Sequence, residues 1–467
     1  MNALKWSALR KRVLARVKPG ADEEKRIRGF AESTLRRVNA LLVESGLDAA
    51  AELHGSVAHN TWVSGETDLD IFIVLSPRYG RDDLSRALDV LKGGLDGDYV
   101  EAYAEHPYLR ARLDGYKVDF VPCFRVDPAT GILSSTDRTP HHTRYLEGAL
   151  DDGLRDEVRL LKQWARGVGV YGAEIRVGGL SGYLCELLVL GHGSFMGLIE
   201  AAAEWRRGTV VQVGEPVDED TLRERFSEPL VVVDPVDPSR NVASAVTTDT
   251  FWTLVAAARR FTVEPREEYF WGPKVKPTMD DVLGLLDGST DVVFLVGEES
   301  RAEVADSLWG QIHKSREALH RQLEICDFKV LSSTAWSDEE RRHVFAFRVE
   351  SGELPPVAKR WGPPVGLARD SERFMEAHLA SEATVAGPGV EDGRWVVYSR
   401  REFTDARALL SHLLEDGGRS VGVSRNLSIR VLQHHRLLLN GEIEPYLDGG
   451  LVGHLYWFLK GRPFWVE

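Results

Sequence analysis

Hydrophobic positions along this chain recur with two periods, and the switches between them outline its elements. Between Pro19-Gly20 and Gly46, Ile27, Phe30, Leu35, Val38 and Leu42 fall at roughly helical spacing, with Asp22 as the candidate cap. "AAELH" leads into a turn at Gly55-Ser56. "DLDIFIVLS", from Asp68, reads as a buried strand with a polar start, and "RDDLSRALDVLKGGL" as a helix. The stretch from Tyr99 to Phe124 reads as three strands, the last two joined by a hairpin turn at Asp114-Gly115. The first ~125 residues therefore alternate helix and strand in the manner of an α/β domain.

Further on, Leu154, Val158, Leu161 and Ala165 share one helical face, and a Gly-rich connection leads to a second apolar helix. The chain up to about Arg260 is mostly helical, interrupted by the strand-like "PLVVVDPVDPSRNVASAV". Pro265, Pro273 and Pro277 mark a boundary. Beyond it come the long amphipathic helix "RAEVADSLWGQIHKSREALHRQLE", the strands "FKVLSST" and "HVFAFRVES", and mixed α and β segments without an internal repeat. The whole reads as an α+β multidomain protein.

Composition narrows this picture. At 467 residues the chain exceeds one hydrophobic core. A formal net charge of −14 disfavours wholesale adhesion to nucleic acid or anionic membrane, while leaving room for a local basic surface. Cys123, Cys185 and Cys326 are far apart, which argues against a disulfide framework and a zinc ribbon and points to a reducing, cytoplasmic setting. No apolar run reaches the ~18 residues of a membrane helix, so no membrane partner is expected. The basic N-terminus lacks a signal-peptide core and reads as a surface helix.

The chemistry gathers where the first strand begins. Residues i and i+2 of a strand face the same way, so Asp68 and Asp70 project side by side. Two such anions repel each other unless a cation lies between them. Asp119 interrupts a second apolar strand, where a carboxylate is costly without a partner. If the two strands are neighbours, three carboxylates converge, and their hard oxygens suit Mg²⁺. Two such ions would activate an attacking hydroxyl and stabilise a pyrophosphate leaving group. Gly55 and Ser56 precede the site and are suited to a phosphate. Alone, an Asp-x-Asp pair or a Gly-Ser turn is common. The succession of Gly-Ser, Asp-x-Asp opening an apolar strand, and Asp inside a second one is far more specific.

The motifs "GSVAHNTWVSGETDLDIFIVL", "GYKVDFVPCF", "DRTPHHTRYL", "LLKQWARGVGVYGAEIRVGGLSGYLCELLVL", "VVVDPVDPSRNVASAV", "KRWGPPV" and "GLVGHLYWFLKGRPFW" resemble, end to end and in order, the archaeal, class I CCA-adding enzymes. These are tRNA nucleotidyltransferases of the DNA polymerase β superfamily. The resemblance implies a polymerase-β-like nucleotidyltransferase head (residues 1–140), a helical neck that recognises nucleotide (141–262), and an α+β body and tail that bind tRNA (263–467). It implies template-independent addition of C, C and A to the tRNA 3′ end from CTP and ATP, and a homodimer. Asp68, Asp70 and Asp119 match the catalytic, metal-binding carboxylates. Ser56, His59, Thr139, His142, Lys162, Tyr171 and Arg240 match nucleotide contacts. The chain departs from the family pattern at His59, where an arginine is expected, and at Asp68, where a glutamate is expected. Arginine binds phosphate bidentately and stays charged; histidine offers fewer donors.

RNA binding needs positive charge gathered locally. Gly417 to Arg436 holds four arginines, two histidines and no acid, and "AKRWGPPV" adds Lys359 and Arg360 beside Trp361. Lys359, Arg360, Arg425 and Arg430 are the candidate RNA contacts, a basic solvated face being the plain alternative. The resemblance implies that body and tail grip the acceptor stem and TΨC arm by shape and backbone. The rival readings are another polymerase-β-type transferase, such as a poly(A) polymerase or oligoadenylate synthase, and an RNA-binding relative without catalysis.

Overall fold

The computed structural model describes residues 3–66, 68–95, 97–103, 107–126, 135–274, 276–286, 288–298, 305–430, 432 and 434–466, excepting the side chains of 3, 4, 102, 103, 135, 429 and 430. The chain divides into two compact units, Met1–Lys274 together with Phe464–Glu467, and Val275–Pro463.

The first unit begins with α1 (Ala3–Val17) and α2 (Ala21–Glu44). The N-terminal helix is more than a surface element: Leu9, Val13 and Val17 are buried in a helical core. The α2 cap is Gly20 without a side-chain bond, and Asp22 sits in the first turn. Its buried stripe is Ile27, Ala31, Thr34, Val38 and Leu42. Phe30 lies at the stripe's edge and stacks on Tyr116 with ring centroids 4.3 Å apart.

Then come β1 (Ala49–His54), α3 (Gly55–His59), β2 (Asp68–Leu75), α4 (Arg81–Gly94), β3 (Asp98–Tyr103), β4 (Pro107–Leu113) and β5 (Tyr116–Phe124). Gly55-Ser56 is not a bare turn, since it opens the short helix α3 directly after β1. Asp114 and Gly115 both take positive φ, 49° and 85°, and close the β4–β5 hairpin. The five strands form one sheet in the order β1-β2-β5-β4-β3. Only β2 and β5 run parallel, and their register sets Asp70 directly beside Asp119. The core of this sheet includes Ile71, Ile73, Val118 and Phe120 from the strands and Leu84, Leu88 and Leu91 from α4.

A second core in this unit is helical. It is built by α5 (Thr139–Ala149), α6 (Asp152–Val168), α7 (Gly182–His192), α8 (Phe195–Ala202), β6 (Thr209–Val211), β7 (Leu230–Val232), α10 (Thr248–Val263) and α11 (Glu268–Trp271), while α9 (Glu219–Arg225) packs Leu222 into a small separate cluster with Val231 and Val233. The strand-like run from Pro229 contributes only β7, paired in parallel with β6. The unit ends at Lys274, later than the expected boundary at 262, because α11 packs on α6. Tyr269 and Phe270 are buried there, and a Cβ on Gly167 would lie 2.1 Å from the Tyr269 carbonyl oxygen. Trp465, from the chain's end, is buried in the same core.

The second unit holds α12 (Met279–Gly284), β8 (Asp291–Glu298), α13 (Ala305–Ile325), β9 (Val330–Ser337), β10 (Arg342–Val349), β11 (Val357–Pro364), α14 (Ala368–Leu379), β12 (Thr384–Glu391), β13 (Arg394–Arg400), α15 (Ala406–Leu413), α16 (Arg425–Arg430), β14 (Arg436–Leu439) and α17 (Gly449–Lys460). Its sheets run β14-β8-β10-β9 and β11-β13-β12. Among the described residues no single helix is long and apolar enough to cross a membrane. The pair α7 and α8 reaches the length only together, bent by 90° between them.

Candidate active site

A cavity of about 420 Å³ opens in the first unit where β1–α3, the starts of β2 and β5, α5, α6 and α7 converge. Its walls carry Asp68, Asp70, Asp119, Ser56, His59, Thr139, His142, Lys162 and Tyr171. Arg240 is not on its wall.

Asp70 is the deepest of the carboxylates. Burial, reinforced by Asp119 and Asp68 beside it, pushes its carboxyl up to about 6. Gly55 makes room for it: with φ at +69°, a Cβ at this position would lie 2.0 Å from Asp70 Oδ2. The flanking carboxylates have cations of their own. Arg110, opposite Asp119 across the β4–β5 pair, grips both its oxygens, Nε to Oδ1 and Nη2 to Oδ2, each at 2.8 Å. Lys117 Nζ lies 3.3 Å from Asp68 Oδ1. As the side chains stand, no group of three or more His, Cys, Asp or Glu among the described residues is gathered closely enough to hold a metal ion. The donor chemistry nonetheless fits a hard divalent cation: a buried carboxylate is raised by burial and two anionic neighbours, and the nearby charges of His59 and Lys117 do not offset this.

Behind His59 lies a buried polar chain. His59 Nδ1 meets both oxygens of Glu186 at 3.2 Å, and its Nε2 meets Thr143 Oγ1 at 3.1 Å. Thr143 Oγ1 is also 2.8 Å from His54 Nδ1. The Thr61 hydroxyl donates to Glu186, and Lys162 Nζ donates to the Thr61 carbonyl at 3.2 Å and hydroxyl at 3.1 Å, standing 3.7 Å from Glu186. Burial raises the Glu186 carboxyl, but the charges of His59 and Lys162 and the bonds from His59 and Thr61 outweigh it and hold the group at about 2. Both ring nitrogens of His59 are thus committed to protein partners. Lys162 has one N–H left after its two bonds to Thr61.

The third wall is organised by Asp234, which is fully buried. It accepts from His142 at 2.9 Å, Arg240 at 3.0 Å and Tyr183 at 3.1 Å. Burial raises its carboxyl, and the bonds from His142 and the Val236 N–H with the Arg240 charge bring it down to about 2. His142 stacks on Tyr183, ring centroids 4.0 Å apart. Arg240 thus meets the cavity only through Asp234. Tyr171 lies under the Arg166 guanidinium, 4.4 Å from the ring centroid, and Arg166 is paired with Glu66. Gly182 lies beside Tyr171 and Lys162: a Cβ there would stand 3.5 Å from the Tyr171 hydroxyl and 3.7 Å from Lys162 Nζ, in ordinary contact with both.

The sequence reading had no place for Arg110, Lys117, Glu186, Thr143, Asp234 or Tyr183. Glu186 carries the signal that flagged Asp119, a carboxylate inside an apolar run.

The RNA candidates lie in the second unit. On β11, Lys359 bonds both Glu391 oxygens at 2.7 Å and lies 4.3 Å from the Trp361 ring centroid, while Arg360 pairs with Asp327 at 2.6 Å. Arg425 is exposed at the start of α16. The Arg430 side chain lies outside the described residues.

Three family models match in succession: a nucleotidyltransferase domain over 35–139, the second domain of tRNA nucleotidyltransferase over 156–271, and the C-terminal domain of the CCA-adding enzyme over 290–438. The chain is similar to the CCA-adding enzyme of Methanothermobacter thermautotrophicus, 37% identical over 90% of this chain and 92% of that one. It is also similar to that of Halobacterium salinarum, 38% identical over 86% and 87%, and to that of Haloarcula marismortui, 33% identical over 94% and 95%.

Proposed function

This chain belongs to the CCA-adding enzyme family of tRNA nucleotidyltransferases, and from that premise we propose that its first unit adds C, C and A to the tRNA 3′ end at the cavity walled by Asp68, Asp70 and Asp119. The RNA 3′ oxygen forms a bond to the α-phosphorus of CTP or ATP, the bond from that phosphorus to the β-bridging oxygen breaks, and pyrophosphate leaves. The observation that carries the reading is the pairing of Asp70 with Asp119 across parallel β2 and β5, beside Asp68 and in one cavity with Lys162 and Ser56.

Asp68, Asp70 and Asp119 would hold divalent ions, two Mg²⁺ by their oxygen-only donors. Such ions supply a Lewis acid that lowers the pKa of the attacking hydroxyl and spreads the charge of the departing pyrophosphate. The protein's own part is placement. Gly55 lets the backbone approach Asp70, and the Ser56 hydroxyl and neighbouring N–H groups face the phosphates. Lys162 turns its remaining N–H to the triphosphate, and Tyr171 and Thr139 line the same wall. His59 lies on this wall and bonds Glu186, so that Lys162 is not drawn wholly into an ion pair. His142, stacked on Tyr183, and Arg240, acting through Asp234, shape the base end.

The acceptor stem and TΨC arm are assigned to the second unit, with Lys359, Arg360, Arg425 and Arg430 as phosphate contacts. A cytoplasmic homodimer is the assembly the family suggests. The test is to incubate a tRNA lacking its CCA end with CTP and ATP together and sequence the products. Ends completed as CCA support the reading, whereas A-only or untemplated mixed tails contradict it.

A further inference from the structure

We propose that Arg110 is the resting counter-ion of Asp119 and has to surrender that carboxylate before a divalent cation is held at the site. The inference rests on Asp119 being a metal ligand. The guanidinium takes one lone pair from each Asp119 oxygen, at 2.8 Å and 2.8 Å, and puts a full positive charge beside the carboxylates that a cation would have to join. Arg110 and Asp119 are cross-strand partners on β4 and β5, and Asp119 is in turn the register partner of Asp70 on β2. One strand, β5, therefore lies between the arginine and the deepest carboxylate.

Three features suit a counter-ion that lets go. Arg110 is 43% exposed against 20% for Asp119, so the guanidinium can swing to solvent while the carboxylate stays. Among the described residues, its other hydrogen bond is a long one, Nη2 to the Tyr108 hydroxyl at 3.4 Å. Asp68 has a looser arrangement of the same kind, one contact to half-exposed Lys117 at 3.3 Å. Each outer carboxylate is thus paired from the sheet surface, whereas among the described residues Asp70 makes no ion pair with a lysine or arginine.

A salt bridge serving only to fix the Asp119 rotamer and a displaceable counter-ion predict opposite signs. Removing Arg110 would loosen Asp119 and weaken cation binding in the first case. In the second it would free two oxygens, remove a repelling charge and tighten binding. The experiment titrates the full chain with Mn²⁺, without nucleotide or RNA, and follows free Mn²⁺ by electron paramagnetic resonance. Arg110→Gln should bind Mn²⁺ about fivefold or more tightly than the wild type, with the gap narrowing at high salt. Arg110→Lys keeps the charge but loses the fork, and should fall about twofold tighter. In Asp119→Asn the further change Arg110→Gln should have little effect. If Arg110→Gln does not fold, judged by circular dichroism, Arg110→Lys decides. Affinity equal to or weaker than wild type in the folded variant overturns the proposal. Absence of any Mn²⁺ binding by the wild type overturns the metal-ligand assignment beneath it.

Discussion

Gly55 stands so close over Asp70 that a single methyl group at its Cα would lie 2.0 Å from the carboxylate oxygen Oδ2. The backbone there is left-handed, with φ at +69°, so two constraints demand glycine at one position. Gly55→Ala should cost about 1 kcal/mol from backbone strain alone. It should also displace Asp70 and lower CMP incorporation about a hundredfold or more, because a misplacement of about 1 Å costs that much. Circular dichroism should remain that of the wild type. Full activity in Gly55→Ala would show that Asp70 tolerates movement and has no exacting role.

Glu186 and Lys162 form a buried pair with Thr61 and His59 between and beside them. Breaking such a pair from one side leaves a charge buried alone, at a cost of about 3 kcal/mol. Glu186→Gln and Lys162→Met should each destabilise by about that much, and the double variant by at least 1 kcal/mol less than their sum. Urea unfolding of the four proteins measures it. Additive losses would mean that the two side chains do not share one network.

Buried titratable groups tie the stability of the first unit to pH in two ranges. Burial, with the charges of His59 and Arg144, holds the His54 imidazole at about 4, against about 6.5 when unfolded. Between those values the unfolded chain takes up a proton that the folded one refuses, so the His54 contribution falls as pH drops from 6.5 to 4, by about 3 kcal/mol, while Asp70, pushed up to about 6, contributes in the opposite sense between about 6 and 4. Glu186 and Asp234, both held at about 2, contribute stability that is present above about 4.5 and lost as pH falls toward 2. The stability difference between wild type and His54→Gln should therefore shrink by about 3 kcal/mol between pH 6.5 and 4 and stay constant below that. Unfolding free energies of both proteins measured from pH 7 to 3 check this, and a difference that does not change with pH would mean that His54 plays no part.

In the second unit, Lys359 and Arg360 are already paired with Glu391 and Asp327, whereas Arg425 is exposed at the start of α16. Arg425→Gln should lower the slope of log affinity for tRNA against log salt by about 1, and Lys359→Gln by less. Equal slopes in Arg425→Gln and wild type would return this stretch to a solvated face.

Much of this site was legible in the order of residues, for definite reasons. The Asp68–Asp70 pair and the carboxylate inside an apolar run at Asp119 are costly arrangements that need a cation, and the cost is visible without a structure. The hairpin at Asp114-Gly115 was legible because few residue pairs accept two positive φ values. Arg110 and Lys117 were not, since a basic residue in an alternating strand reads as a solvent position. Their partners follow from β5 lying between β2 and β4, which is a long-range fact. His59 read as a phosphate contact by resemblance. Its engagement with Glu186 and Thr143 depends on α5 and α7 packing over α3, which the local sequence does not encode.

The central claim is that the carboxylates on β2 and β5 carry out nucleotidyl transfer in this chain. The most direct test is the single-turnover rate of the first CMP addition to a tRNA lacking its CCA end, at saturating Mg²⁺, for wild type and Asp119→Asn, with tRNA affinity measured alongside. The account predicts a rate at least about a thousandfold lower in Asp119→Asn, with tRNA affinity within about twofold of wild type, because the lost interaction belongs to the transition state. A rate within tenfold of wild type would contradict it.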